Sequence, residues 1–180
     1  MRGVPVIADE ALKHLLSCIK AAKPQTVLEI GTAAGLSAIA IAQNSNAFIY
    51  TMEKDEVCIA DARQNIADFG MSERVRIIEG DCVENIKEFD KKIDFIFLDG
   101  PKGQYLKMYP YLKNILNAGG ILFCDNVLFR GFVIGESFPA RYKTIVKNLR
   151  EFLQIVKEDK DIESTVHDVG DGVLVARKLN

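Results

Sequence analysis

Short apolar runs alternate with helix-patterned segments along most of the chain, and this alternation limits the possible folds more than any other feature. Runs with the length and residue types of strands lie at residues 26–30, 48–52, 75–78, 93–98 and 119–124. Continuous apolar runs are typical of parallel strands that are covered on both faces. Alternation of such strands with helices therefore predicts an α/β fold with a parallel, doubly wound sheet and right-handed crossovers.

Helical periodicity fills the other segments, which lie at residues 8–21, 36–43, 56–69, 104–116 and 139–156. Asp9 is a candidate N-cap of the first helix, and Gly70 is a candidate C-cap of the third. Pro110 predicts a kink or a late start in the fourth helix. Near the end of the chain, residues 163–167 and 173–176 flank a glycine-rich turn, which predicts an antiparallel hairpin at one edge of the sheet.

The length and composition indicate one ordinary globular domain. A chain of 180 residues can bury one sizeable core, so we predict a single domain over residues 1–180 with an N-terminal helical segment at 1–23. No apolar run approaches the roughly 20 residues of a membrane span, and no secretory signal is evident, so we expect a cytoplasmic protein. The four cysteines form no Cys-x-x-Cys pair, which disfavours zinc and disulfides. A net charge of −2 does not suggest a protein that coats nucleic acid, although a local basic patch remains compatible with an RNA substrate.

A glycine-rich turn follows the first strand directly, within the sequence VLEIGTAAGLS at residues 27–37. Its spacing is E-x-G-x-x-x-G, whereas a dinucleotide site needs G-x-G-x-x-G to place a pyrophosphate on a helix N-terminus. A ligand with an adenosine but no phosphate fits this looser loop, although the glycines alone could simply form a turn. The loop residues that we assign to cofactor binding are Glu29, Gly31, Thr32, Gly35 and Ser37.

The ends of the second and third strands carry further candidate cofactor contacts. Glu53 lies about 20 residues beyond the glycines, where a carboxylate can bind both ribose hydroxyls. Asp81 is placed to accept a hydrogen bond from an adenine amino group, with Cys82 beside the ring. Either acid alone would be an ordinary solvated loop residue. Together, at consecutive strand ends, they predict an adenosine site with an amino-acid tail near Glu29 and Gly31.

The ends of the fourth and fifth strands carry a candidate metal site. Asp99 follows the fourth strand, and Asp125 and Asn126 follow the fifth. These side chains would converge at the carboxyl edge of the sheet, where their oxygens suit a hard cation such as Mg²⁺. Such a cation would hold a substrate hydroxyl and lower its pKa, and Lys102 could take the departing proton. The alternative interpretations assign no function to these residues: Asp125-Asn126 could form a strand-end turn, and Lys102 could be an ordinary solvated lysine.

These motifs resemble the cation-dependent O-methyltransferases, which include the catechol and caffeoyl-CoA enzymes. The motifs that carry the resemblance are VLEIGTAAG, Met52-Glu53, Gly80-Asp81, FLDGPKGQY at residues 97–105 and DNVLFRG at residues 125–131. The resemblance extends from about Val4 to Lys178. It implies a Rossmann-like class I methyltransferase fold, a seven-stranded sheet of order 3-2-1-4-5-7-6, and S-adenosylmethionine and Mg²⁺ or another divalent cation as cofactors.

The resemblance also assigns roles to individual residues. It implies that Asp99, Asp125 and Asn126 are the metal ligands, that Lys102 is the active-site lysine and that Glu53 binds ribose. Asp99 would also lie beside the methionine moiety and take part in catalysis. Members of the family usually carry a longer helical segment before the first strand. We therefore expect a more open acceptor pocket here, together with a homodimer whose mode of association can differ.

Within the family, the motifs are similar to a bacterial branch that methylates 5-hydroxyuridine in tRNA. The shared pieces include KGQY at residues 102–105 and VGDG at residues 169–172. This similarity implies tRNA as the substrate, with Tyr105, Arg130 and Arg141 as candidate substrate contacts. The basic residues could equally form the solvated face of a helix. O-methylation of a small hydroxylated, catechol-like aromatic is the alternative function, and a non-catalytic S-adenosylmethionine-binding module is a distant one.

Overall fold

A seven-stranded sheet organises residues 7–180, which are the residues that the computed structural model describes. The strands are β1 (Thr26–Ile30), β2 (Phe48–Glu53), β3 (Val75–Glu79), β4 (Ile93–Leu98), β5 (Leu116–Cys124), β6 (Ile162–His167) and β7 (Val173–Lys178). Their order in the sheet is β3-β2-β1-β4-β5-β7-β6. Strands β1 to β5 are parallel, and β7 runs antiparallel to both of its neighbours. The predicted fold, strand order and C-terminal hairpin are confirmed.

The described part of the chain has six α-helices, of which the first precedes β1 and the other five lie between strands. They are α1 (Asp9–Ala22), α2 (Leu36–Asn44), α3 (Glu56–Asp68), α4 (Cys82–Glu88), α5 (Tyr105–Ile115) and α6 (Lys143–Glu158). Single turns of 3₁₀-helix at Lys102–Gln104 and Ala140–Tyr142 precede α5 and α6. Over residues 7–180, none of the helices is both long enough and apolar enough to cross a membrane.

Several local predictions need correction. Helix α4 was not predicted, because its seven residues are too few to show a helical period. Ala8 is the N-cap of α1, and Asp9 instead lies in the first turn, where its charge favours the helix N-terminus. Helix α5 begins at Tyr105 and continues through Pro110, so the late start is wrong, and the kink, which was the alternative, stays a prediction. Residues 1–6, which include part of the predicted N-terminal segment, lie outside the described residues.

The sheet lies between two helical layers, which explains its continuous apolar runs. In the central strand β4, Phe95 and Phe97 pack in one core cluster with residues of α1, α2 and α3. Ile96 and Leu98 pack in a second cluster with residues of α4, α5 and α6. All four of these side chains are completely buried, so both faces of the strand must be apolar.

Strand register brings the carboxyl ends of the central strands together. Ile30 is paired with Leu98, and Leu98 with Cys124, so the residues that follow β1, β4 and β5 begin side by side. The buried Tyr105 hydroxyl lies 3.0 Å from the Leu98 carbonyl oxygen and 3.3 Å from that of Asp125. This side chain therefore links the ends of β4 and β5 beneath the candidate metal site.

Candidate functional site

A cavity of about 490 Å³ opens at the carboxyl edge of the sheet. Its wall includes the last residue of β2 and the residues that directly follow β1, β3, β4 and β5, which are Glu53, Gly31, Gly80, Asp99 and Asp125. A volume of this size is typical of small-molecule and cofactor sites. Its position outside the carboxyl ends of the strands is where open α/β sheets bind ligands.

Gly31 allows the ends of β1 and β4 to approach closely. Its φ of +103° lies in the region that favours glycine, and an added Cβ would lie 2.8 Å from the carbonyl oxygen of Asp99. The Gly31 N–H donates to the carbonyl of Met52 over 3.1 Å. Backbone from three strands therefore meets at this corner, and any side chain here would force the strands apart.

Glu53 presents a carboxylate that backbone amides hold in place on the cavity wall. Its Oε2 accepts a hydrogen bond from the Ala33 N–H at 3.0 Å. Its Oε1 accepts from the N–H groups of Lys54 at 2.9 Å and Asp55 at 3.1 Å. A fixed carboxylate with remaining acceptor capacity is compatible with binding the two hydroxyls of a ribose, which stays a prediction for Glu53.

Glu29 lies beneath the glycine-rich loop and not on the cavity wall. It is completely buried, and its two carboxylate oxygens accept hydrogen bonds from the hydroxyls of Ser37 and Thr51, each at 2.5 Å. The Thr51 hydroxyl also pairs with that of the buried Thr32 at 2.6 Å. Gly35 lies against α3, where an added Cβ would be 3.3 Å from the Cβ of Ala62. The placement of these loop residues indicates that they support the loop, and direct cofactor contacts by them stay a prediction.

Burial raises the pKa of Glu29 to about 7, against the lowering effect of the Ser37 and Thr51 hydrogen bonds. Because the folded-state pKa exceeds the unfolded value of 4.5, this group weakens the fold as pH rises from about 4.5 to 7 and keeps it weaker above pH 7. We expect the substituted side chain in Glu29→Gln to be uncharged at every pH and still to accept the hydrogen bond from the Ser37 hydroxyl. The free energy of unfolding of the variant, relative to that of the natural protein, should therefore rise by about 2–3 kcal/mol when the pH is raised from 5 to 8.

Thermal unfolding at pH 5 and pH 8 measures this difference. The exposed Glu84→Gln, which alters a surface pair with Lys87, provides the matched control and should show little pH-dependent gain. An equal effect of Glu29→Gln at both pH values would contradict the elevated pKa.

Asp81 occupies the junction between β3 and α4, beside the cavity. One carboxylate oxygen accepts from the Val83 N–H at 2.9 Å and so caps α4. The other oxygen lies 3.3 Å from Lys54 Nζ. The capping bond and the lysine lower the pKa of Asp81. The residue is thus an anchored anion next to the wall residue Cys82, and an adenine contact stays a prediction.

The candidate metal ligands come together with Lys102 at one end of the cavity. Asp99, Asp125 and Asn126 all line the wall, and Lys102 Nζ lies 2.5 Å from the Asp99 carboxylate. The Asn126 N–H donates to Asp125 Oδ1 at 2.7 Å, which orients that carboxylate. The set is two carboxylates and a carboxamide. Among residues 7–180, no group of three or more His, Cys, Asp or Glu side chains is arranged to hold a metal.

Asp125 shows why a cation fits these residues. The residue is 1% exposed, and its Oδ2 is buried with no hydrogen-bond partner among the described residues. Burial, followed by the charge of Asp99, raises its pKa to about 6. A buried carboxylate oxygen without a partner is costly, and a hard cation would supply the missing partner.

The three predicted substrate residues are not placed alike. Tyr105 is completely buried with its hydroxyl between two backbone carbonyls, so its placement does not support the predicted substrate contact. Arg130 and Arg141 are exposed, and their guanidinium groups lie 5.9 and 4.7 Å from the ring centroid of Tyr142. The ring of Phe132 stacks on Tyr142 at 5.7 Å. The two arginines therefore share one cation–aromatic surface, close in sequence to Asn126.

Sequence reasoning missed several residues of the wall. Lys54 and Pro101 are direct neighbours of predicted site residues, so the strand-end rule could have included them. Ile7 and Ala8 precede α1 and also line the cavity. No local signal identifies these two, because only the packing of α1 on the sheet brings them to the carboxyl edge.

Comparison with known proteins identifies the family. Residues 4–179 match a family model described as O-methyltransferase. A Populus kitakamiensis caffeoyl-CoA O-methyltransferase is 25% identical over 189 residues, which cover 99% of this chain and 80% of that protein. A catechol O-methyltransferase of Niastella koreensis is 25% identical over 172 residues, which cover 91% and 76%.

Solved structures agree with this assignment. A candidate caffeoyl-CoA O-methyltransferase from Staphylococcus aureus has a TM-score of 0.90 and 30% identity, covering 97% of this chain and 86% of that one. The SAH-bound methyltransferase PaMTH1 of Podospora anserina has a TM-score of 0.84 and 28% identity, covering 94% and 78%. The match over nearly all of the sequence and the cavity at the strand ends lead to one conclusion: this chain belongs to the O-methyltransferase family and is an S-adenosylmethionine-dependent O-methyltransferase.

Proposed function

We propose that this protein methylates one hydroxyl of a small aromatic acceptor with adjacent hydroxyl groups, and that it requires Mg²⁺ or a similar divalent cation. The observation that carries this proposal is the buried, unpartnered Oδ2 of Asp125 beside Asp99 and Asn126 on the cavity wall. An all-oxygen set of this kind suits a hard cation that takes further ligands from a substrate. Two adjacent hydroxyls would supply such ligands.

The residues of the cavity divide the work of the reaction. The carboxyl groups of Asp99 and Asp125 and the amide of Asn126 would hold the cation, whose chemistry is to orient the acceptor and lower the pKa of its hydroxyl. Lys102 can hold the negative charge of the acceptor oxygen or, when deprotonated, take its proton. The acceptor oxygen then forms a bond to the methyl carbon, and the carbon–sulfur bond breaks with its electron pair left on a neutral thioether. Positioning and charge stabilisation would supply most of the rate enhancement.

The relatives favour a small acceptor over tRNA. The Populus and Niastella proteins are named for caffeoyl-CoA and catechol, and neither name refers to RNA. The net charge of −2 also favours a small acceptor. Methylation of 5-hydroxyuridine in tRNA is the second candidate, and the exposed Arg130 and Arg141 beside Tyr142 are the observation that favours it. Their guanidinium groups could meet phosphates.

Transfer of labelled methyl groups tests the proposal. We would supply labelled S-adenosylmethionine with a catechol, and separately with tRNA that contains 5-hydroxyuridine, each with Mg²⁺ and with EDTA. We expect label in the catechol product that disappears with EDTA. Label found only in tRNA would identify RNA as the acceptor. Transfer that persists in EDTA would contradict the requirement for a metal ion. Cofactor binding without transfer to either molecule would show that the acceptor belongs to another chemical class.

Lys102 provides a separate test of the proposed chemistry. We expect Lys102→Met to lower kcat by about 10²–10³-fold, since a positioned acid–base group typically contributes 10²–10⁴-fold. Lys54→Met is the matched control, because Lys54 also lines the cavity but its side chain is 69% exposed and paired with Asp81. Steady-state kinetics with catechol would show the difference. Equal kcat values for the two variants would remove Lys102 from the mechanism.

We also infer the properties that the sequence predicts at the level of the whole chain: one domain over residues 1–180, a homodimer and a cytoplasmic location. Light scattering coupled to size-exclusion chromatography measures the oligomeric state.

A further inference from the structure

The turn between β6 and β7 is hydrogen-bonded to the loop that follows β5, which we call the 126–131 loop. The Val127 N–H donates to the Gly172 carbonyl at 2.9 Å, and the Leu128 N–H donates to the Asp171 carbonyl at 3.0 Å. The Arg130 N–H lies 2.6 and 2.7 Å from the two carboxylate oxygens of Asp171. Three successive contacts therefore join a distant turn to the loop that carries Asn126.

The 126–131 loop has a backbone that needs external support. Asn126, Phe129 and Arg130 have φ values of 55°, 44° and 60°, a region that residues other than glycine rarely adopt. Such conformations persist when surrounding contacts hold them. Gly172 lies directly against this loop, since an added Cβ at its φ of +81° would overlap the side chain of Leu128.

We propose that Asp171 is a positioning residue that holds the 126–131 loop so that Asn126 faces the metal site. This inference rests on the proposed metal-dependent function. The carboxylate accepts the Arg130 N–H, and hydrogen bonds to a charged acceptor are stronger than neutral ones. The carboxylate holds the loop at Arg130, whereas Val127 and Leu128 donate to backbone carbonyls of the turn, so loss of the carboxylate frees the loop at Arg130, four residues after Asn126.

Manganese binding to three variants of the whole protein tests this role. Mn²⁺ serves as the probe, measured by electron paramagnetic resonance, and SAH binding is measured separately by calorimetry. Asp171→Ala removes both oxygens, whereas Asp171→Asn retains one acceptor for the Arg130 N–H. Because both variants lose the same charge, the difference between them reports the hydrogen bond. Asp168→Ala removes an exposed carboxylate from the same turn and is the matched control.

We expect Asp171→Ala to weaken Mn²⁺ binding by about 10–100-fold, as loss of groups that orient metal ligands typically does. Asp171→Asn should lie between this variant and the natural protein, and Asp168→Ala should bind like the natural protein. SAH binding should change less than about twofold in all three, which a general loss of structure would not allow. In hydrogen exchange, the Arg130 amide should exchange faster in folded Asp171→Ala, because it alone loses its acceptor, while Val127 and Leu128 keep their backbone partners.

Two results would overturn the inference and are distinguishable. Unchanged Mn²⁺ affinity in folded Asp171→Asn and Asp171→Ala would show that the loop needs no such support, while leaving the metal site intact. Failure of the natural protein to bind Mn²⁺ would instead remove the metal site and this role with it. If Asp171→Ala does not fold, Asp171→Asn with unchanged affinity and unchanged exchange at Arg130 would suffice to reject the role.

Discussion

Replacement of Asp125 by asparagine is expected to abolish divalent-cation binding and to reduce methyl transfer by about 10³-fold or more. The carboxamide can still accept the Asn126 N–H, so the local backbone should persist. The substitution removes the negative charge that binds the cation. The cation acts as a Lewis acid and provides several kcal/mol of transition-state stabilisation, and each 1.36 kcal/mol corresponds to a factor of ten in rate. Kinetics at saturating Mg²⁺ and Mn²⁺ titration would measure both effects.

The same substitution should stabilise the protein when no cation is added. Burial and then Asp99 raise the pKa of Asp125 to about 6, from an unfolded value of 3.8. The ionised group therefore weakens the fold as pH rises between these values, and the loss is complete above pH 6. We expect Asp125→Asn to gain about 1–3 kcal/mol in the free energy of unfolding at pH 8. A rise in stability together with a loss of activity would mark a residue kept for function.

Asp90→Asn is the control for both measurements, because the Asp90 side chain is 88% exposed and its removal should alter neither property much. Retention of Mn²⁺ binding by Asp125→Asn would contradict the assignment of this residue as a ligand. Destabilisation at pH 8 without added cation would contradict the electrostatic argument.

Gly31→Ala is the second substitution for which we expect a large effect. The new Cβ would lie 2.8 Å from the Asp99 carbonyl oxygen and 3.2 Å from the Gly100 Cα, both of them backbone atoms that cannot rotate away. The left-handed conformation adds about 1–2 kcal/mol and overpacking typically adds 1–3 kcal/mol. We therefore expect a loss of about 3–4 kcal/mol in the free energy of unfolding, and SAH binding weakened by about tenfold or more because the cavity wall must shift.

Gly70→Ala separates the two contributions. Gly70 also has a positive φ, of +67°, but an added Cβ would meet nothing within 4 Å. This control should lose only the conformational part, about 1 kcal/mol, and should bind SAH normally. Denaturant unfolding and calorimetry would compare the two variants. Equal losses of stability would contradict the close approach of β1 and β4.

The carboxyl-edge site could be predicted because the apolar pattern indicates parallel strands and the family resemblance implies their order. Strands buried on both faces, such as β4, must be apolar throughout, and parallel strands end at the same edge. The residues that follow them, including Gly31, Asp99 and Asp125, are therefore neighbours whatever the details of packing. This reasoning needs only the strand order, and it holds for each of these wall residues.

The exact role of each side chain depended on contacts between distant parts of the chain. Glu29 and Tyr105 follow the predicted motifs, but both are buried, and their partners lie on other elements. The sequence by itself determined the strands and the polar residues at their ends, because hydrophobic periodicity reports burial, and its resemblance to a known family implied the strand order. Only the tertiary structure decided that Asp171 holds the 126–131 loop, because a hydrogen bond across 41 residues leaves no trace in local periodicity.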